Sequence, residues 1–260
     1  MKSFLAALMA LTAAATLAAQ SGNANGGHPD LSGTWLFSID LPPIALKRQT
    51  NGQTSVKGID ASGRRPAAAT VAGALPFTAA PAYKPELRAK VKDLADHESK
   101  TDEVFYCGRP GVPRIGPPRR IIQLPNEFVF LYEDISGDPY RIVPVGGQHK
   151  KDGNPSYYGD SIARWDGNTL VVDAVNFVDS TWFGEDGYYH SDAMHVTERF
   201  WRSGANLVYQ VTVDDPKVLA SPWTMAPRVV KPSTDPLEES PKCTEADSKL
   251  LVNNDHHGQR

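Results

Sequence analysis

What most constrains this chain is a concentration of short β-branched and aromatic runs, punctuated by glycine, between Tyr157 and Trp201: YYGDSIARWDGNTLVVDAVNFVDSTWFGEDGYYHSDAMHVTERFW. Two runs within it, Thr169 to Phe177 and His195 to Trp201, have strand composition, and WDGN ahead of the first supplies the Asp-Gly turn of a hairpin. Strand side chains alternate between faces, so Val171, Asp173 and Val175 share one face of the first run, and Val196, Glu198 and Phe200 share one face of the second. Each of these apolar faces therefore carries a carboxylate. An ionised carboxylate buried alone costs several kcal/mol, roughly, so each must be paired, hydrogen-bonded or neutralised. Either Asp173 and Glu198 pair with arginines such as Arg164, Arg199 or Arg202, or a polar site is built on the sheet.

The rest of the chain supports this reading. Residues 1–24 join a lysine to a Leu/Ala-rich run and then to small residues, the anatomy of a signal peptide, which predicts a periplasmic or secreted protein. The following residues turn polar too soon for a membrane span, which needs about 18 apolar residues. A net charge of -3 with no basic run argues against nucleic-acid or polybasic membrane partners. In an oxidising compartment the two cysteines, Cys107 and Cys243, read best as a disulfide clamping the tail to the core, with two free thiols as the alternative. Their spacing does not suit a metal site.

Residues 25–245 form a single predicted β domain, followed by a disordered tail at 246–260. Within it, 41–81 reads as a surface excursion holding a short hairpin. An amphipathic helix is predicted over 85–100, with Leu87, Val91 and Leu94 on one face. The proline-rich segment after Cys107 is predicted to be extended, with edge strand at most, and carries Arg114, Arg119 and Arg120. Further strands are FVFLYE from Phe128, YRIVPV from Tyr140, NLVYQVTVD from Asn206, and a last one from Pro222 through Val230. Gly33-Thr34-Trp35 resembles the Gly-x-Trp opening of lipocalins and other calycins, in which the Trp plugs one end of a barrel. The expected fold is all-β, an antiparallel lipocalin/calycin-like barrel of about eight to ten strands with one amphipathic helix.

For chemistry, His190 and His195 flank Ser-Asp-Ala-Met, with Glu198 three residues on, and a histidine beside a carboxylate is material for proton transfer near neutral pH. The chain lacks a Gly-x-Ser-x-Gly elbow and any nucleotide-binding glycine loop. The expectation is a cofactor-independent acid/base enzyme of lyase, isomerase or hydrolase type acting on a small molecule in a barrel pocket. His195 or His190 would be the base or acid, and Asp173 and Glu198 the orienting or second proton-transfer groups. Tyr132, Glu133, Arg141, His149 and Tyr158 would contact the ligand. One alternative is a lipocalin-like binding protein without turnover; another is a metal-dependent enzyme using His190, His195 and Glu198. Convergence of a histidine and at least two of Glu133, Asp173 and Glu198 in one hollow favours the enzyme. An apolar cavity with those acids paired to arginines away from it favours the binder.

Five blocks in order, DLSGTW at Asp30, CGRPGVPR at Cys107, GDSIARWDGNTLVVD at Gly159, YHSDAMHVTER at Tyr189 and DDPKVLASPWT at Asp214, resemble a family of functionally uncharacterised exported bacterial proteins. The resemblance implies export and a β-rich fold, and no reaction. Tyr189 and Met194 stand where that family has proline and leucine, and the segment around Cys243 departs from its pattern.

Overall fold

The computed structural model describes residues 27–36, 47–50, 53–56, 79–244, 246 and 248–249. The expected signal peptide, most of the excursion and nearly all of the tail lie outside the described residues. Twelve strands are described, β1 Gly33–Thr34, β2 Lys47–Thr50, β3 Gln53–Val56, β4 Arg120–Gln123, β5 Glu127–Leu131, β6 Tyr140–Pro144, β7 Asp160–Asp166, β8 Thr169–Val175, β9 His195–Ser203, β10 Asn206–Asp214, β11 Trp223–Thr224 and β12 Arg228–Val230. They form a four-stranded antiparallel sheet, β1-β4-β5-β6, and a six-stranded one, β11-β10-β9-β8-β7, in which β12 also pairs with β10; β2 and β3 pair apart.

The six-stranded sheet is a meander in which two connections, β7–β8 and β9–β10, are tight two-residue turns. Gly167 and Gly204 open the β7–β8 and β9–β10 turns with φ of 58° and 59°, the left-handed conformation that tight hairpins require. The sheets face each other over an aromatic core. Phe128 and Phe130 on β5 meet Trp165 and Phe200, with ring centroids 5.9 and 5.3 Å apart, and Phe200 meets Tyr209 at 5.0 Å. Burying each such side chain stabilises the fold by about 1.5–3 kcal/mol.

Among the described residues the chain is thus all-β and antiparallel with few helices, and no closed barrel is found. The sheets touch along two seams made of single bridges, Val145 with Ala163 and Trp35 with Pro232. Trp35 is buried at the second seam under the Arg202 guanidinium, 4.6 Å from its ring centre.

The expected helix over 85–100 is broken. A 3-10 turn at Pro85–Leu87 leads into α1, Arg88–Asp96, and His97 leaves helical geometry (φ -121°, ψ 25°) before the single turn of α2, Glu98–Thr101. Leu87, Val91 and Leu94 pack on the core as their spacing requires. Gly187, at φ +76°, allows this approach, since a Cβ there would lie 2.3 Å from the Val91 carbonyl oxygen. The extended segment after Cys107 ends in β4, which is an interior strand rather than an edge, paired with both β1 and β5. Its prolines stop at Pro118, and the RIIQ that follows is free to donate on both sides. Cys107 and Cys243 form a disulfide, with Cα atoms 5.6 Å apart, that ties the last described segment to the core. Among the described residues no helix is long and apolar enough to cross a membrane.

Candidate functional site

β9 distributes the expected site over two sides of one sheet. Val196, Glu198 and Phe200 point inward and are fully buried, whereas His195 and Thr197 point outward and are partly exposed.

Inside, Glu198 is 0% exposed, and its Oε2 lies 2.7 Å from Arg141 Nη2 on β6. This is a charge contact without hydrogen-bond alignment: Glu198 Oε2 and Arg141 Nε have no hydrogen-bond partner among the described residues. Tyr209 donates its hydroxyl to Glu198 Oε1 at 3.1 Å; Arg141 donates to the Tyr132 hydroxyl at 3.0 Å and to Ser161 Oγ at 2.8 Å. Burial works against the guanidinium charge, and the Glu198 carboxylate outweighs it, so Arg141 stays protonated. Burial pushes the Tyr132, Tyr158 and Tyr209 hydroxyls well above the ordinary tyrosine value, so they remain neutral. Tyr158 stacks on Tyr132, centroids 6.4 Å apart, with its buried hydroxyl unpartnered among the described residues. Arg141, Tyr132 and Tyr158 are therefore brought together around an ion pair sealed among aromatic rings.

Outside, Asp173 does not sit on a buried apolar face as expected; it faces outward from β8, with 34% of its side chain exposed. Asp173 pairs in register with Thr197 and Ile162, which sets His195 on β9 and Asp160 on β7 diagonally beside it. Its two oxygens meet His195 Nε2 at 2.6 Å and His149 Nε2 at 2.7 Å. His149 comes from the loop between β6 and β7. That loop is held over the sheet by the Lys150 N–H donating to Asp160 Oδ2 at 2.8 Å and by Asn176 Nδ2 donating to the Gly153 carbonyl at 2.8 Å. The other nitrogen of His149, Nδ1, meets Asp160 Oδ2 at 3.0 Å.

Carboxylate oxygens on both nitrogens of one imidazole require two N–H groups, which only the imidazolium has. Burial opposes that charge, but hydrogen bonds to Asp173 and Asp160 outweigh it and hold His149 above the usual histidine value. The same two imidazoles, against the cost of burial, hold Asp173 below the usual carboxylate value. His195 is arranged differently. Its Nε2 is committed to Asp173, while Nδ1 has no hydrogen-bond partner among the described residues, on a side chain 41% exposed. In its neutral form, with Nε2–H donated to Asp173, this ring presents a bare Nδ1 lone pair to solvent.

The remaining expected residues stand elsewhere. His190 is buried. Its Nδ1 donates to the Ser191 carbonyl at 2.9 Å, which leaves Nε2 to accept from Thr181 Oγ1 at 2.8 Å. Burial holds its imidazole below the usual value, against the pull of the Ser191 backbone bond and the Asp215 and Asp179 charges. It lines a cleft of about 440 Å³ with Lys90, Asp179 and Lys217. Glu133 pairs with Arg119 at 2.9 Å. Two of the three acids, Glu133 and Glu198, are thus paired with arginines and Asp173 alone meets histidines, so the expected convergence of a histidine with at least two of them is not found among the described residues. The grouping of His190, His195 and Glu198, whether as a proton-transfer set or as metal ligands, is thus corrected: the three belong to separate networks, and the last two lie on opposite faces of β9. Among the described residues, no group of three or more His, Cys, Asp or Glu side chains is arranged to hold a metal ion.

Three participants escaped sequence reasoning: Asp160, Ser161 and Tyr209. Ser161 and Tyr209 occupy inward positions of β7 and β10, so strand alternation could have found Tyr209 on the strand already expected, and Ser161 once β7 was recognised. A second hollow, of about 490 Å³ and mainly apolar, is lined by Val104, Phe105, Ile115 and Ile135, with Arg114 and Glu185. Arg114 is buried and pairs with Asp102 at 2.6 Å. Compared with protein-family models, with curated proteins and with solved structures, the chain matches none of them.

Proposed function

We propose that this protein is an exported enzyme acting on a small molecule by cofactor-independent acid/base chemistry, of lyase, isomerase or hydrolase type. Its proton-transfer centre is His195 with Asp173 on the outer face of the six-stranded sheet. The observation that carries the reading is the 2.6 Å contact between Asp173 Oδ2 and His195 Nε2, beside a half-exposed Nδ1 with no hydrogen-bond partner among the described residues. An imidazole oriented by a carboxylate on one nitrogen and bare on the other is the arrangement a general base requires. Asp173 fixes the tautomer and stabilises the imidazolium that forms when Nδ1 takes a proton. His149, held charged between Asp160 and Asp173, keeps the Asp173 carboxylate in place.

Export and membership of the uncharacterised exported family belong to the same proposal and rest on the sequence blocks alone. The grouping of the two sheets as one lipocalin-like barrel belongs to the proposal too; its support is the Gly-x-Trp opening and two single-bridge seams between sheets that do not close into a barrel among the described residues. A lipocalin-like carrier holding its ligand between the sheets is less well supported, because Phe130, Phe200, Tyr209 and the Arg141–Glu198 pair fill that space. The test is to identify the small molecule that co-purifies with the protein by mass spectrometry and to measure its turnover. Turnover by His195→Ala and by Asp173→Asn is expected to fall by about 10²–10⁴-fold. Undiminished turnover in both variants would overturn the assignment.

A further inference from the structure

The 490 Å³ hollow on the side of Phe105 and Ile135 has walls of Val104, Phe105, Pro110, Ile115 and Ile135, a size and lining suited to one ring-sized organic molecule. Its polar groups are unequally provided for. Arg114 forms an ion pair with Asp102 at 2.6 Å, although Arg114 Nη1 and Asp102 Oδ2 lack hydrogen-bond partners among the described residues, and Glu133 pairs with Arg119 at 2.9 Å. Glu185, which also lines the hollow, has no hydrogen bond or ion pair to its carboxylate among the described residues. Around it stand Glu98, Asp186 and Asp102, with Arg114 as the cation among them. Asp134 adds another acid to the rim. An apolar chamber lined by an unpaired carboxylate is complementary to a molecule with an apolar body and one positive charge.

We infer that this hollow is a binding site for a small hydrophobic amine, its ring against Phe105, Ile115 and Ile135 and its ammonium on Glu185. The site is separate from the His195–Asp173 centre and stands or falls independently of it. Burial, then the charge of Glu98, push the Glu185 carboxyl up to about 8, with Arg114 pulling the other way and Asp186 and Asp102 adding to the rise. An ammonium therefore binds better as that carboxyl ionises, and affinity for a cation rises with pH toward about 8.

The experiment is calorimetric titration of the full chain with benzylamine, benzyl alcohol and benzoate, between pH 6 and pH 8.5. Benzylamine is expected to bind about ten- to a hundredfold more tightly than benzyl alcohol, with benzoate weakest and the preference growing with pH. Glu185→Gln is expected to remove the preference while leaving benzyl alcohol binding unchanged. Ile135→Ala, on a side chain 47% exposed, is expected to weaken all three probes. The inference is overturned by no binding of any probe, by equal binding, by benzoate binding best, or by an amine preference that survives Glu185→Gln. Should Glu185→Gln fail to fold, the Ile135→Ala titration and the pH profile of the unaltered chain decide.

Discussion

The two sides of β9 carry the same materials, a carboxylate and a nitrogen base, and treat them in opposite ways. Inward, Glu198 meets a guanidinium in a space without solvent, and that guanidinium keeps its charge beside the carboxylate. Outward, Asp173 meets two imidazoles at a half-exposed surface, where protons can come and go. The difference teaches that burial of an acid is not by itself a sign of chemistry. The better buried of the two acids is the one fixed in place, and the less buried one is adjacent to a group able to exchange protons.

The comparison breaks most sharply at Arg141. Arg141→Ala leaves Glu198 buried without its counter-ion and is expected to cost about 3–5 kcal/mol. Replacing Arg141 and Glu198 together by Met and Leu is expected to recover most of that loss, as urea denaturation of the three proteins would show. A single variant as stable as the parent would mean that the inner pair is not sealed.

On the outer side the expected effect is smaller and depends on pH. Asp173 is held below its ordinary value of 3.8, so its contribution is present above that value and lost as pH falls through its folded value. His149 is held above its ordinary value of 6.5, so its contribution is full below 6.5 and lost as pH rises through its folded value. Both are present together between about pH 4 and about pH 6.5. His149→Ala is therefore expected to destabilise by at most about 1 kcal/mol at pH 5–6, and by less at pH 9. A loss that grows with pH would contradict the ionic account of this loop.

Much of the strand pattern could be read from the chain. NLVYQVTVD is β10 from end to end, and the alternation of Val196, Glu198 and Phe200 correctly faces inward. The same rule, applied one step further, separates His195 from Glu198, because an odd spacing along a strand puts two side chains on opposite faces. Asp173 was misplaced for a different reason. Val171 shares its face and is buried, but the face is the outer one, and nothing local distinguishes a covered outer position from a core position. The partners Arg141 and Glu198 come from different sheets, and the His149 loop reaches over β7 to Asp173 on β8. Such pairings are set by how the sheets pack and leave no local trace. The β2–β3 hairpin flanks Asn51-Gly52, a signal that could have located it.

The central claim is that Asp173 fixes His195 as a base with a bare Nδ1. Nitrogen-15 NMR of the imidazole rings across a pH titration tests it most directly. The account predicts that neutral His195 carries its proton on Nε2, that His149 is protonated on both nitrogens at pH 6 and loses one proton above the usual histidine value, and that Asp173→Asn disturbs both signatures. A neutral His195 protonated on Nδ1, or one indifferent to the loss of the Asp173 carboxylate, would contradict it.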